Sequence, residues 1–162
     1  MTSTATVLSR FPEIVTGEFR GQIRWIAPPQ RAFDIFAALN KEAGFDFLVD
    51  VTCVDYLHYR DAQHRFGLVY VLANTRTNEQ LTVRVFLDEP DPTVRSVVGL
   101  WEGANWLERE VWDMFGIQFE GHPDLRRILM PDPFVAHPLR KDYPLQGRGE
   151  RHNFTTIRRT DA

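Results

Sequence analysis

Five prolines lie between Gly121 and Leu145, and they constrain the fold of this chain more than any other feature of its sequence. Each proline lacks a backbone N–H and pushes the preceding residue toward an extended conformation, so neither a long helix nor a central strand is expected here. The segment nevertheless keeps apolar residues throughout, among them Ile128, Phe134 and Leu139. We therefore predict an extended arm with apolar anchors, which lies along its own domain or along another protein.

The residues before the arm show alternating strand and helix patterns. Ile23 and Trp25 alternate with polar neighbours, which predicts a short first strand, and Pro28 then ends it. Apolar residues at helical spacing predict a helix that begins near Ala32 and is closed by Gly44. Three further strands are predicted at 47–54, 66–73 and 81–87. The middle one is apolar on both faces, as a central strand should be.

The short connections between these three strands favour an antiparallel meander over parallel crossovers. The fold class predicted for residues 1–120 is therefore α+β, in two layers, with helices on one face of a small, mainly antiparallel sheet. Residues 121–162 are predicted to be an extended, proline-rich C-terminal arm and tail that has no core of its own.

Two more helices are predicted before the arm. A short one is expected from about Thr93 to Leu100. Asn105 looks like an N-cap with Glu108 as its capping-box partner, which predicts a second helix over Trp106–Phe115. Its apolar stripe and its glycine stop are formed by Leu107, Val111, Met114, Phe115 and Gly116.

Charge is distributed unevenly along the chain. Residues 1–120 carry 11 basic and 17 acidic side chains, a balance of −6, whereas residues 121–162 carry 8 basic and 5 acidic ones, a balance of +3. The net charge of −3 gives no general attraction for nucleic acid. The basic pairs of the arm are interleaved with carboxylates, which also argues against an RNA-binding module.

The candidates for chemistry are few. Glu110 and Asp113 lie three residues apart on the predicted polar side of the helix. They could form a paired-carboxylate acid–base site, or they could pair with cations of the arm or of a partner. Pairing is favoured, because no nucleophile or phosphate loop accompanies them. His122 and His137, each followed by proline, form at most half of a metal site, because zinc requires three or four ligands. Hydrogen bonds to backbone carbonyls or carboxylates are the expected role of both histidines.

The remaining sequence features concern cofactors and compartment. Cys53 is the single cysteine, so this chain cannot form an internal disulfide or a cysteine-only iron–sulfur site, and its apolar surroundings predict burial. Neither a signal peptide nor an apolar stretch long enough to span a membrane is found in the sequence. Attachment to a membrane would therefore go through partners.

Residues 104–145 read ANWLEREVWDMFGIQFEGHPDLRRILMPDPFVAHPLRKDYPL. This segment resembles the signature of the C-subunit family of the bacterial respiratory NADH–quinone oxidoreductase, complex I, most densely in EREVWDMFGI, GHPDLRRIL and HPLRKDYPL. One departure is Ala136, where the family usually has a glycine that permits positive φ.

The resemblance implies a hydrophilic, non-catalytic core subunit of a proton-translocating complex, without a catalytic or metal-binding residue of its own. FMN, the iron–sulfur clusters and quinone would be bound by partner subunits. The partners would be the quinone-site subunit and its iron–sulfur neighbours in a hetero-oligomer, peripheral on the cytoplasmic side of the cell membrane. The alternative is the same subunit in a ferredoxin-, deazaflavin- or hydrogenase-type membrane complex.

The residues expected to anchor the arm or contact partners are charged or histidine side chains of the matched segment: Glu108, Glu110, Asp113, His122, Arg126, Arg127, His137, Arg140, Lys141 and Asp142. Arg140, Lys141 and Asp142 are expected in charged contacts at or beside the quinone-site subunit. A free-standing hydrolase or lyase that uses Glu110, Asp113, His122 and His137 is the rival hypothesis.

Overall fold

The computed structural model of the protein describes residues 3–150, and the predicted tail over 151–162 lies outside them. The first part of the chain comprises two helices, two short strands and a 3-10 turn, in the order α1 (Ser3–Arg10), β1 (Val15–Phe19), β2 (Gln22–Ala27), the 3-10 turn (Pro29–Arg31) and α2 (Ala32–Lys41). The rest of the domain comprises β3 (Phe47–Asp55), β4 (Phe66–Ala73), β5 (Gln80–Leu87), β6 (Thr93–Arg95), α3 (Ala104–Phe115) and β7 (Gln118–Glu120). Residues 121–150 contain neither an α-helix nor a strand, as the prolines predict.

The main sheet has five strands in the order β1-β2-β5-β4-β3. The β3-β4-β5 meander is antiparallel, which confirms the prediction from the short connections. The β2 strand pairs with β5 in parallel, and α2, β3 and β4 lie between the two strands in the chain. The sheet is therefore mixed, with three antiparallel pairs and one parallel pair.

The core lies between one face of the sheet and the helices, as expected for an α+β domain. Phe36 of α2 packs on Tyr70 of β4 with the ring centroids 4.4 Å apart, and Trp101 meets Phe36 edge to face. Helix α3 packs beside β3, where Cys53 is buried, as predicted.

The first two elements were not predicted. Helix α1 buries Val7, and Phe11, which follows it, is also buried, so the segment covers the core beside α2. The β1-β2 hairpin turns through Arg20 and Gly21, which have φ values of 51° and 78°. Both positive φ values suit a tight hairpin, but Arg-Gly is a weaker sequence signal than Asn-Gly.

The prediction of a short helix from about Thr93 to Leu100 is wrong. Thr93–Arg95 is a strand that pairs in parallel with Gln118–Glu120, in a second, two-stranded sheet. The chain then turns, with the Leu100 and Trp101 amides bonded to the Val97 carbonyl. The pairing joins residues on either side of α3, so local periodicity could not reveal it.

The structure confirms most of the prediction of a helix over Trp106–Phe115, which is α3. It begins at Ala104, and Val111, Met114 and Phe115 are buried. Gly116 ends it with a φ of 78°, the left-handed conformation that glycine tolerates best. The capping box is wrong, because Asn105 lies inside the helix and the N-cap residue, Gly103, makes no side-chain bond.

Replacing Val111 by alanine should lower the free energy of unfolding by about 1–3 kcal/mol, because the valine is 1% exposed and its loss leaves a cavity. Urea unfolding of the isolated chain measures this difference. Glu110→Ala on the same helix is the matched control, because Glu110 is exposed and should change stability little. Equal effects of the two substitutions would show that the stripe does not face the core.

Candidate functional site

The site that joins the arm to the domain is centred on the carboxylate of Asp113, in the last turn of α3. The backbone amides of Ile128, Leu129 and Met130 all donate to its Oδ2 atom, at 3.1, 2.9 and 2.9 Å. The Arg127 guanidinium donates to Oδ1 at 2.5 Å. The Asp113 side chain is completely buried, so this carboxylate has exchanged water for donors of the arm.

Burial alone would raise the pKa of Asp113, since it disfavours the charged form. The three amides and Arg127 favour the carboxylate more strongly, and the pKa of Asp113 is lowered overall. Asp113 therefore lies on the buried side of α3 and not on the predicted polar side. The expectation that it pairs with a cation of the arm is confirmed by Arg127.

The arm also satisfies the carbonyls at the end of α3, which have no partners within the helix. The Nδ1 atom of His137 donates to the Asp113 carbonyl at 3.0 Å, and the Leu139 amide donates to the Met114 carbonyl at 3.1 Å. Arg140 donates to the Phe115 carbonyl at 3.4 Å. Arginine at this position also complements the negative end of the helix dipole.

Gly116 is required where the arm crosses the end of α3. A Cβ atom at this residue would lie 2.7 Å from Cδ2 of His137, closer than real Cβ contacts allow. The His137 ring packs edge to face on Trp112. Burial lowers the pKa of His137, so the ring is neutral at pH 7. Ala136 does not have positive φ, so the turn before His137 does not need the family's glycine.

Two further contacts fasten the first part of the arm. His122 donates from Nε2 to the Asn105 carbonyl at 3.2 Å, and its Nδ1 accepts from the Asp124 amide at 3.0 Å. Both histidines thus bond to carbonyls, as predicted. Arg109 donates from Nε to the Arg126 carbonyl at 3.1 Å. Arg126 itself is exposed and pairs with Asp124.

A second ionic cluster holds the later part of the arm. Arg65, which precedes β4, donates to Asp142 at 2.7 Å, to Glu89 at 2.5 Å and to Asp55 at 3.4 Å. Arg140 also pairs with Glu89. The Lys141 amide donates to the buried Asp55 carboxylate at 2.8 Å. The arm is thereby tied to the ends of β3, β4 and β5.

The residues predicted from the sequence thus divide into distinct groups. Asp113, His122, Arg127, His137, Arg140 and Asp142 are brought together in intrachain contacts between arm and domain, with Lys141 contributing its backbone amide. Glu110 is exposed and has no ion pair to any residue within 3–150. Sequence reasoning missed Arg65, Asp55, Glu89 and Arg109. Asp55 carried a signal, because it continues the inward alternation of Val51 and Cys53 with a charge.

Glu108 fastens a different element, and its predicted capping role is wrong. Its side chain is fully buried and accepts from the Ser96 hydroxyl at 2.6 Å and from the Val97 amide at 2.7 Å. It therefore connects α3 to the residues that follow β6. Burial raises the pKa of Glu108 to about 7, although both hydrogen bonds oppose the rise.

These contacts fasten the arm and the segment after β6 to the domain. Within residues 3–150, no group of three or more histidine, cysteine, aspartate or glutamate side chains is arranged to hold a metal ion. In the same part of the chain, no helix has the length and apolar character needed to cross a bilayer.

Comparison with known proteins decides the family. The model of the family "Respiratory-chain NADH dehydrogenase, 30 Kd subunit" matches residues 26–149. The chain belongs to this family. It is 44% identical over 130 residues to the C subunit of the NADH-quinone oxidoreductase of Geobacter sulfurreducens, across 80% of this chain and 79% of that one. As a member of the family, the chain is a subunit of the NADH–quinone oxidoreductase complex and part of a hetero-oligomer.

Other relatives of the 30 kDa subunit family agree. NADH-quinone oxidoreductase subunit 5 of Thermus thermophilus is 47% identical over 127 residues, which are 75% of this chain and 61% of that one. The chain therefore spans about three-fifths of that relative's length. A solved trypsin-resistant fragment of Nqo5 superposes with a TM-score of 0.69 at 38% identity, covering 76% of this chain and 99% of the fragment.

A chain of the archaeal membrane-bound sulfane sulfur reductase superposes with a TM-score of 0.77 and covers 96% of this chain and 91% of its own length. Its identity is 22%, so this likeness shows the fold alone.

Replacing Asp113 by asparagine should destabilise the isolated chain by about 3–5 kcal/mol, because Arg127, whose side chain is 12% exposed, loses its counter-charge and the amides lose a charged acceptor. Urea unfolding at pH 7 measures the loss. Asp124→Asn, which breaks an exposed pair with Arg126, is the control and should cost less than about 1 kcal/mol.

The contribution of Asp113 to stability should depend on pH, because the pKa of Asp113 is lowered in the folded protein. The contribution is present above pH 3.8, the ordinary pKa of the group, and is lost as the pH falls through the pKa of the folded protein.

Glu108 should give the opposite pH dependence. Its pKa is raised from 4.5 to about 7, so its contribution to stability is present below pH 4.5 and is lost as the pH rises through about 7. Glu108→Gln keeps an acceptor for the Val97 amide and removes the titration. Melting curves from weakly acidic to weakly basic pH should show a declining Glu108 contribution that the variant lacks. Parallel curves for both proteins would contradict the raised pKa.

Proposed function

We propose that this chain is a non-catalytic, hydrophilic subunit that holds the quinone-site subunit in the peripheral arm of the complex during electron transfer from NADH to quinone. Residues 121–145 form its docking segment, and residues 1–120 form the domain that supports it. The neighbouring iron–sulfur subunits are further partners. The chain is attached to the cytoplasmic side of the membrane only through these partners.

One observation carries the proposal: the arm exposes apolar side chains on a backbone that its own domain fixes. Leu129, Val135 and Leu139 are 56%, 86% and 52% exposed, although the backbone amides of Leu129 and Leu139 donate to Asp113 and Met114 of α3. Single exposed apolar residues are common, but several on one bonded, proline-rich segment favour a protein interface. Because the arm is already ordered, docking would lose little conformational entropy.

The charged residues of the arm have a different role in this proposal. Arg140 and Asp142 were expected to meet a partner's carboxylates and cations, but Glu89 and Arg65 already bond to them within the chain. Their part is to set the position of the arm, while the exposed apolar side chains make the contact. Lys141, whose side chain is exposed, remains available for a charged contact with the quinone-site subunit.

We also propose that this chain binds no cofactor, and that FMN, the iron–sulfur clusters and quinone belong to its partners. Among residues 3–150, no three histidine, cysteine, aspartate or glutamate side chains are grouped to hold a metal ion. The single cysteine of the chain cannot hold an iron–sulfur cluster alone. Stoichiometric iron or a flavin absorption spectrum in the purified, folded chain would contradict this part of the proposal.

Leu139→Asp tests the docking role of the arm. Leu139 is 52% exposed, so the isolated subunit should melt as the wild type does, whereas a buried interface carboxylate should weaken assembly by about 2 kcal/mol or more. The measurement is the amount of this subunit that co-purifies with a tagged quinone-site subunit, together with quinone reduction by the membranes.

Ile23→Asp is the matched control for this test. Ile23 is 49% exposed, lies on the same side of β2 as Trp25, and pairs with Leu81 near the start of β5, at the far end of that strand from Glu89, to which the arm is bonded. The control should retain assembly. Loss of assembly with both variants, or with neither, would contradict docking through the arm.

A further inference from the structure

One face of the five-stranded sheet is not covered by the helices. We call it the open sheet face and define it by the outward-pointing residues in neighbouring register: Arg24, Ile26, Asp50, Thr52, Val54, Val69, Val71, Thr82, Arg84 and Phe86. These alternate along the strands with the core residues Trp25, Val83, Tyr70 and Val51. Tyr56 covers the end of this face near Gly67, since a Cβ atom there would meet its ring at 2.8 Å.

The centre of the open sheet face is apolar. Val69 and Val71 on β4 are half-buried, and Ile26 on β2 and Val54 on β3 are each 39% exposed. A sheet with one solvated face usually has polar residues on that face, whereas a sheet covered on both sides is apolar throughout. The pattern of β4 is therefore that of a strand covered on both faces, although the helices cover only one.

The same face carries an arginine whose hydrogen bonding is incomplete. The Nε atom of Arg84 is buried and has no acceptor among residues 3–150. Arg84 lies between Ile26 and Val69 in the register, at the middle of the apolar surface. A buried donor without an acceptor is unfavourable, so an oxygen from outside the described residues would complete this site. A carboxylate suits an arginine best, because its geometry matches the guanidinium fork.

The charges also indicate what kind of partner fits. Arg24 and Arg84 face outward, and Asp50 is the single carboxylate in the same rows of the register. A second copy of this chain would bring together two faces of the same net positive charge, which is unfavourable. A different protein with a carboxylate among apolar side chains complements the face in both charge and polarity.

We propose that the open sheet face is an interface with a neighbouring subunit of the complex. That subunit packs apolar side chains on Val69 and Val71 and presents a carboxylate to Arg84. This surface is separate from the arm and goes beyond the docking function proposed for it. The chain would then be held at two surfaces, the arm and the sheet.

A photo-crosslinking amino acid at position 71 of the full-length subunit tests this interface in assembled complexes. The expected product joins position 71 to a peptide of another subunit that contains aspartate or glutamate. The same label at position 135 on the arm is the positive control for assembly. Crosslinks only to this chain, only to a second copy of it, or none at all while position 135 reacts, would overturn the proposal.

Substitutions of Arg84 test the chemistry of the contact. Arg84→Glu should reduce the crosslink yield at position 71 by about tenfold or more, because it places like charges together. Arg84→Lys should retain much of the yield, and Arg76→Glu, in the exposed β4-β5 turn, should leave it unchanged. If Arg84→Glu does not fold, Arg84→Gln is measured instead and should reduce the yield. Unchanged yields with folded Arg84 variants would overturn the role of the carboxylate.

Discussion

The structure depends on one buried carboxylate, that of Asp113, because this group gives a proline-rich segment a fixed position. Three consecutive backbone amides of the arm and the Arg127 guanidinium converge on it. A buried ion pair often contributes little net stability compared with an apolar pair. What it contributes here is geometry, since only one placement of residues 127–130 directs all these donors at a single side chain.

The arm's other contacts extend this placement to the rest of the domain. The carbonyls at the end of α3 accept from His137, Leu139 and Arg140, and the cluster around Arg65 ties the arm to the sheet. Backbone and side-chain polar groups of the arm thus bond to the domain, Leu125 and Met130 pack against its core, and Leu129, Val135 and Leu139 remain exposed. This division explains how a segment without a helix or strand can serve as a defined docking surface in a subunit of a large complex.

Much of the domain was predictable, because β3, β4, β5, α2 and α3 show their periodicity in local sequence. Elements that depend on distant residues were not predictable in this way. The β6-β7 pair is separated by α3, and Asp113 looks like a surface acid until its partners, 14–17 residues further along, are placed around it. Glu108 likewise gave a capping pattern, whereas its partners Ser96 and Val97 lie before the helix. The resemblance identified the family, but it did not reveal which charged residues bond within the chain.

The central claim is that the domain itself orders the arm before any partner binds. Amide hydrogen exchange of the isolated subunit tests it most directly, at the amides of Ile128, Leu129 and Met130. Because these amides donate to a buried carboxylate, the account predicts exchange that is slowed to a degree comparable with the amides of α3. Exchange at the rate of an unstructured peptide, in a subunit whose α3 amides stay protected, would show that the arm is ordered only by its partners.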